Sequence, residues 1–220
     1  MTASSLRAII QGLHNAQVRY LVVGPLAVAA HGCMPQTENI ELSLVSGAEC
    51  TARVLNCLER MGYRHHVPMT VADCADDARR ARMEGAEFAK VLRLRSVRHG
   101  EIDVNVVLDD RLDFAEMYGR SERLELAPGL EIPVCAYGDL MRLKRQSGRA
   151  NDCVDLEQLA KVRRERPDYD PWYEATFEGN ELWQLWRWAD LPFSEKIRSL
   201  EESRRLGRIL QKARRSANEG

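Results

Sequence analysis

The chain has 220 residues, 45% hydrophobic and 30% charged, with a formal net charge of -1. That make-up belongs to a globular protein with a core able to fold alone, and the near-neutral balance excludes a whole-molecule pull toward nucleic acid or membrane surfaces. No run approaches the roughly 18 apolar residues of a bilayer span, and the opening MTASSLRAIIQGL lacks the apolar region of a signal peptide.

The six cysteines form no C-x-x-C and none stands at zinc spacing from a histidine, which predicts a reduced, cytoplasmic setting. Leu6, Ile9, Ile10 and Leu13 recur at helical spacing, so residues 4–17 are predicted as a helix. RYLVVG (19–24) is β-rich and apolar and reads as a buried strand. Pro25 suits the first turn of a helix running through LAVAAHG and stopping at Gly32. NIELSLV (39–45) alternates, with Ile40, Leu42 and Leu44 on one face and Asn39, Glu41 and Ser43 on the other. Residues 47–61 are helical in pattern and end at Gly62.

The stretch 64–84 is polar, has no clear period, and reads as a loop or excursion. EFAKVLRLRSV (87–97) and HGEIDVNVVL (99–108) flank a turn and predict a hairpin, with Ile102, Val104 and Val106 on one face and Asp103 on the other. RLELA and LEIPV flank Pro128-Gly129, a second turn signal. From Gly138 the chain turns helical. Gly148 ends one helix, and Asn151 or Asp152 caps the next. Pro167 and Pro171 mark a boundary. Beyond it lie all four tryptophans and a last amphipathic helix with Ile197, Leu200, Leu206, Ile209 and Leu210. The predicted organisation is a mixed α/β body over 1–136, a helical pair over 137–166, and a helical, Trp-rich tail over 167–220.

Asn39 and Glu41 on one strand and Asp103 on another would converge if those strands were neighbours, at about 5 Å of strand spacing. Converging acids on a rigid sheet call for a cation, and magnesium suits hard oxygen ligands. Two such ions would clamp the attacking and leaving oxygens of a nucleotidyl transfer. A helix starting after Gly24 would turn backbone N–H groups toward phosphates.

These segments, in this order, resemble the nucleotidyltransferase superfamily, in particular the bacterial minimal and toxin–antitoxin nucleotidyltransferases. VVGPLAVAAHG, Thr37, NIEL, EIDVNV and GDLMRLKRQSGRANDCVDLEQL carry the resemblance over roughly residues 15–160. It implies a mixed β-sheet flanked by helices (α/β, α+β) with a helical C-terminal part. It implies Glu41, Asp103 and Asn39 at the catalytic positions, Glu41 and Asp103 as Mg2+ ligands, and Gly24, Pro25, Thr37, Lys144 and Asp152 around a nucleoside triphosphate.

The departures fall in that same site. Pro25 replaces a glycine or serine and has no N–H to give. Pro35 or Gln36 stands where the family has arginine, Asn39 replaces the first aspartate, and Glu41 the second. Only Asp103 is unchanged. The expectation is therefore a nucleotidyltransferase-fold protein with impaired or lost transfer, acting as a nucleotide-binding or protein-interaction module. The alternative is an active Mg-dependent enzyme moving a nucleotide to a hydroxyl of RNA, a protein or a small molecule. The tail is the expected surface for a protein partner or a homo-oligomer. KVRRER (161–166) reads as a solvated helix end, with RNA contact as the other reading.

Overall fold

The computed structural model describes residues 3–35, 39–45, 47–65, 69–76, 78, 79, 82, 90–96, 103–108, 113–163 and 171–218. Helix α1 (Ala3–Asn15) buries Leu6, Ile9, Ile10 and Leu13 completely. Strand β1 (Tyr20–Val23) is buried throughout and leads without a loop into helix α2 (Gly24–Ala30). That helix contains no polar side chain, and its residues from Gly24 to Ala29 are buried. An all-apolar helix belongs in an interior. Strand β2 (Ile40–Leu44), helix α3 (Ala48–Arg60) and strand β3 (Tyr63–His65) follow.

The excursion expected over 64–84 holds more structure than its composition suggested. It begins inside β3 and contains a short helix, α4 (Val71–Ala75). The side chain of Thr70 accepts the Asp73 N–H, and the Asp73 carboxylate accepts the Thr70 N–H. This reciprocal cap starts a helix without needing a long apolar stripe.

Strands β4 (Val91–Ser96) and β5 (Asp103–Val107) pair antiparallel. Val104 and Val106 are buried, and Ile102 lies outside the described residues. Helix α5 (Phe114–Gly119), capped by Asp113, precedes the hairpin β6 (Glu122–Ala127) and β7 (Leu130–Val134). Among the described residues the seven strands form one mixed sheet in the order β3-β4-β5-β2-β1-β7-β6. The pairs β2–β5 and β1–β7 are parallel and the other four antiparallel.

Helices α6 (Tyr137–Ser147) and α7 (Ala150–Val162) form the expected pair. Gly148 closes α6 in the left-handed conformation, φ 61°, its N–H bonded to the Lys144 carbonyl. Neither Asn151 nor Asp152 caps α7. The N-cap is Arg149, with no side-chain cap bond, and Asp152 sits inside the helix with its carboxylate on Lys144.

Helices α8 (Pro171–Glu174), α9 (Phe177–Asp190) and α10 (Phe193–Asn218) make the tail. Trp186 is buried and meets Trp183 edge to face at 5.3 Å, whereas Trp172 is 84% exposed. The start of α10 belongs to the body. Phe193 and Ile197 join the core, and buried Lys196 donates to the carbonyls of Ala189 (2.9 Å) and Ala30 (3.4 Å). A Cβ on Gly32 would stand 2.6 Å from the Ala189 Cβ, so the end of α2 is pressed against the end of α9. No helix among the described residues is long and apolar enough to cross a membrane.

Candidate functional site

The two strands expected to be neighbours are neighbours. In the parallel register Ile40 pairs with Val104, Glu41 with Asn105 and Leu42 with Val106. Buried and half-buried positions alternate along β5, so Asp103, Asn105 and Val107 share the face carrying Glu41. The register puts Asn105, not Asp103, beside Glu41. The two acids stand diagonally, one pleat repeat apart.

Across β5, Arg93 pairs with Asn105 and Arg95 with Asp103. Arg95 takes both oxygens of Asp103, Nε to Oδ1 at 2.9 Å and Nη2 to Oδ2 at 3.2 Å. Such a fork occupies the carboxylate edge a metal would use. Asn39 donates its Nδ2–H to Glu41 Oε1 at 2.9 Å. The other Glu41 oxygen lies over Gly24, where a Cβ would come within 2.3 Å of it. Gly24 has φ 62°. Its lack of a side chain lets β1 turn directly into α2 and leaves room for the Glu41 carboxylate.

Above this face opens a cleft of about 690 Å³, bounded by the β1–α2 turn, by β2, β4 and β5, and by the facing sides of α6 and α7. Gly24, Pro25, Glu41, Lys144 and Asp152 line it, and Asn39 and Asp103 do not. Thr37 lies outside the described residues. Lys90, Arg93, Asn105 and Arg149 also line the cleft. All four were absent from the sequence-derived site, and two of them, Arg93 and Asn105, could have been found. Their signal is plain alternation: VLRLR and DVNVV put them on the polar face of a hairpin whose apolar residues were read first.

Lys144 is the most enclosed cation of the cleft. Its Nζ donates to Asp152 Oδ1 at 2.8 Å and to Asp155 Oδ2 at 2.6 Å, and all three residues are buried. Burial pushes the ammonium down, but the two carboxylates more than offset it and hold its pKa above the usual lysine value. Burial likewise pushes Asp152 up, and Lys144 and neighbouring donors pull it below the usual value. Two acids on one base leave a negative excess, and Asp155 Oδ1 has no hydrogen-bond partner among the described residues. The triad locks α6 to α7.

His31, at the far end of α2, does not line the cleft. Its Nε2–H donates to the Cys135 carbonyl at 2.8 Å, and burial lowers its pKa. Burial pushes the thiols of Cys33 and Cys135 up to about 12, so neither acts as a nucleophile near neutral pH.

The chain is distantly similar to solved nucleotidyltransferases. One is the lincosamide antibiotic adenylyltransferase LnuA with lincomycin bound: 16% identity, TM-score 0.46, 73% of this chain and 97% of that one. A second is a Thermotoga maritima protein provisionally named a nucleotidyltransferase: 17% identity, TM-score 0.45, 73% of this chain and 92% of that one. A third is ANT(2")-Ia in complex with adenylyl-2"-tobramycin: 12% identity, TM-score 0.43, 92% of this chain and 97% of that one. No family model matches the chain, and no curated protein does.

The arrangement has a definite chemical character. With the triad included, the cleft sets Lys90, Arg93, Lys144 and Arg149 against the carboxylates of Glu41, Asp152 and Asp155, an excess of one positive charge. That balance favours an anion. Among the described residues no group of three His, Cys, Asp or Glu side chains could hold a metal ion.

Proposed function

We propose that this chain is a nucleotidyltransferase-fold protein that binds a nucleoside triphosphate in the 690 Å³ cleft and does not transfer the nucleotide. The observation that carries the reading is the Arg95 fork on Asp103. The one acid that matches the family motif unchanged is paired with a neighbour on the next strand and does not line the cleft. Glu41 is held by the Asn39 amide and by its seat on Gly24. These donors, as they stand, do not fit a magnesium pair, because magnesium needs open, close-set oxygens in octahedral order.

Phosphate recognition has then moved from backbone to side chain. Pro25 removes an N–H from the turn, and Glu41 covers its first residue. Arg93 and Arg149 supply the positive charge instead, with Arg93 rising from the sheet and Arg149 from the α6–α7 turn. Arginine suits phosphate through its paired donors.

Thermal unfolding with each nucleoside triphosphate, with and without magnesium, tests this. The expected result is a rise of a few degrees at saturating nucleotide, kept without magnesium and in Asp103→Ala, and lost in Arg93→Glu with Arg149→Glu. A rise that requires magnesium and vanishes in Asp103→Ala would support the active enzyme instead. No rise with any nucleotide would overturn nucleotide binding and leave a protein partner, of the toxin–antitoxin kind the motif order implies, as the function to seek.

A further inference from the structure

The cleft changes character along its floor, and the strand register locates the change. One row of cross-strand neighbours runs Val23, Glu41, Asn105, Arg93, and all four line the cleft. The next row on the same face lies two residues along each strand, about 7 Å away, and runs Leu21, Ser43, Val107, Val91. Leu21 and Ser43 are 0% and 2% exposed, whereas Val107 and Val91 are half-buried and line the cleft. The cover over this row therefore ends at β5. Two paired valines are left as an open step beside the row that carries Arg93.

Valines on the open face of this hairpin call for a reason. The core face of β4 and β5 is made by Leu92, Leu94, Val104 and Val106, all buried. The opposite face reads Arg95, Arg93, Val91 on one strand and Asp103, Asn105, Val107 on the other, so only its last pair is apolar. Leu140 and half-buried Leu143 of α6 bring a second apolar surface to the same cleft. Among the described residues no aromatic side chain lines it. A flat apolar group entering the cleft thus has aliphatic side chains to lie on, and an anionic group has Arg93 one row away.

The size of the step favours one class of base. Directly paired residues on neighbouring strands have Cβ atoms about 5 Å apart. A bicyclic purine lies across both valines, and a single pyrimidine ring covers little more than one. Apolar contact of this kind scales with the area removed from water.

We infer that Val91 and Val107 form a nucleobase platform that prefers purines, with the phosphates directed toward the row of Arg93. The inference rests on the nucleotide reading of the cleft and adds which end of the ligand lies where and which class of base it carries.

Calorimetric titration of the full chain without magnesium tests this, with ATP, GTP, CTP, UTP and inorganic triphosphate as ligands. ATP and GTP are expected to bind at least roughly tenfold tighter than inorganic triphosphate and about three- to tenfold tighter than CTP and UTP. Val91→Thr with Val107→Thr keeps the shape of the step and puts hydroxyls beneath the base. It should weaken ATP about tenfold and leave inorganic triphosphate unchanged, which also shows that the variant is folded. Arg93→Glu with Arg149→Glu should weaken both. Inorganic triphosphate binding as tightly as ATP, or ATP indifferent to the paired threonines, would overturn the inference and leave the cleft a phosphate site. CTP and UTP matching ATP and GTP would overturn the purine preference. No binding by any of these ligands would overturn the nucleotide reading itself, and the platform with it.

Discussion

Gly24→Ala measures whether Glu41 sits where the turn places it. The residue has φ 62°, a conformation that costs a side-chain-bearing residue about 1–2 kcal/mol. The new Cβ would stand 2.3 Å from Glu41 Oε2 and 2.6 Å from its Cδ. Those atoms end a flexible side chain, so the carboxylate swings away, while the Glu41 Cβ, 3.0 Å from the new atom and fixed to β2, has to give by a few tenths of an ångström. In swinging it gives up the 2.9 Å bond from Asn39, worth about 1 kcal/mol at a half-buried site. The single variant should therefore lose about 2–3 kcal/mol. Glu41→Ala alone should lose about 1 kcal/mol, the same hydrogen bond. The double variant loses that bond once, so its cost falls about 1 kcal/mol short of the sum. Urea unfolding of the four proteins reads this from their midpoints. Strict additivity would show that the carboxylate does not rest on Gly24, and the geometry argued for the cleft would fail with it.

Lys144→Met should be far more costly, about 3–5 kcal/mol, because it leaves Asp152 and Asp155 buried without their base. Adding Asp152→Asn and Asp155→Asn should recover most of that in the same urea assay. The triad also has a pH signature. Lys144 is raised, so its contribution is complete below about 10.5 and fades above it; Asp152 is lowered, so its contribution fades in acid below about 3.8. In the acid half of that window His31 sets the slope. Its folded pKa lies below 6.5 because burial disfavours the charged ring, against a weaker opposing pull from Glu122 at 3.9 Å. Only the unfolded chain takes up the proton at first, so stability should fall below pH 6.5 and be flat from there to about 9, above which it falls again because burial raises the thiols of Cys33, Cys50, Cys57 and Cys135 and only the unfolded chain ionises them. His31→Gln can keep a donor toward the Cys135 carbonyl and should flatten the profile between about pH 6.5 and 5 in thermal unfolding.

Much of this was legible in the sequence, and the parts that were not share a cause. The alternation of 39–45 gave the faces of β2, and Gly148 gave the end of α6, because both rest on local stereochemistry. Strand register is not local. NIEL and DVNV show which residues point to the polar face, but not that Glu41 meets Asn105 and that Asp103 meets Arg95. The convergence of acids expected from alternation alone was therefore one pleat out. Asp152 shows the same limit. Its position near the start of α7 suited a cap, and a lysine eight residues earlier, brought close by the α6–α7 turn, claimed it instead. Two local signals went unread: Thr70 to Asp73 is a cap sequence, and Asp113 followed by Glu116 starts α5.

The seat of α10 bears on how the protein is made. Phe193 and Ile197 belong to the same core as Leu6 and Val22, and Lys196 closes the end of α2. A chain emerging from the ribosome has β1 and α2 early, yet the last turn of α2 and the Gly32 corner stay uncovered until residues 189–197 arrive. Domains that complete themselves early can fold as they emerge. This one must hold an open flank until Ile197 has been joined.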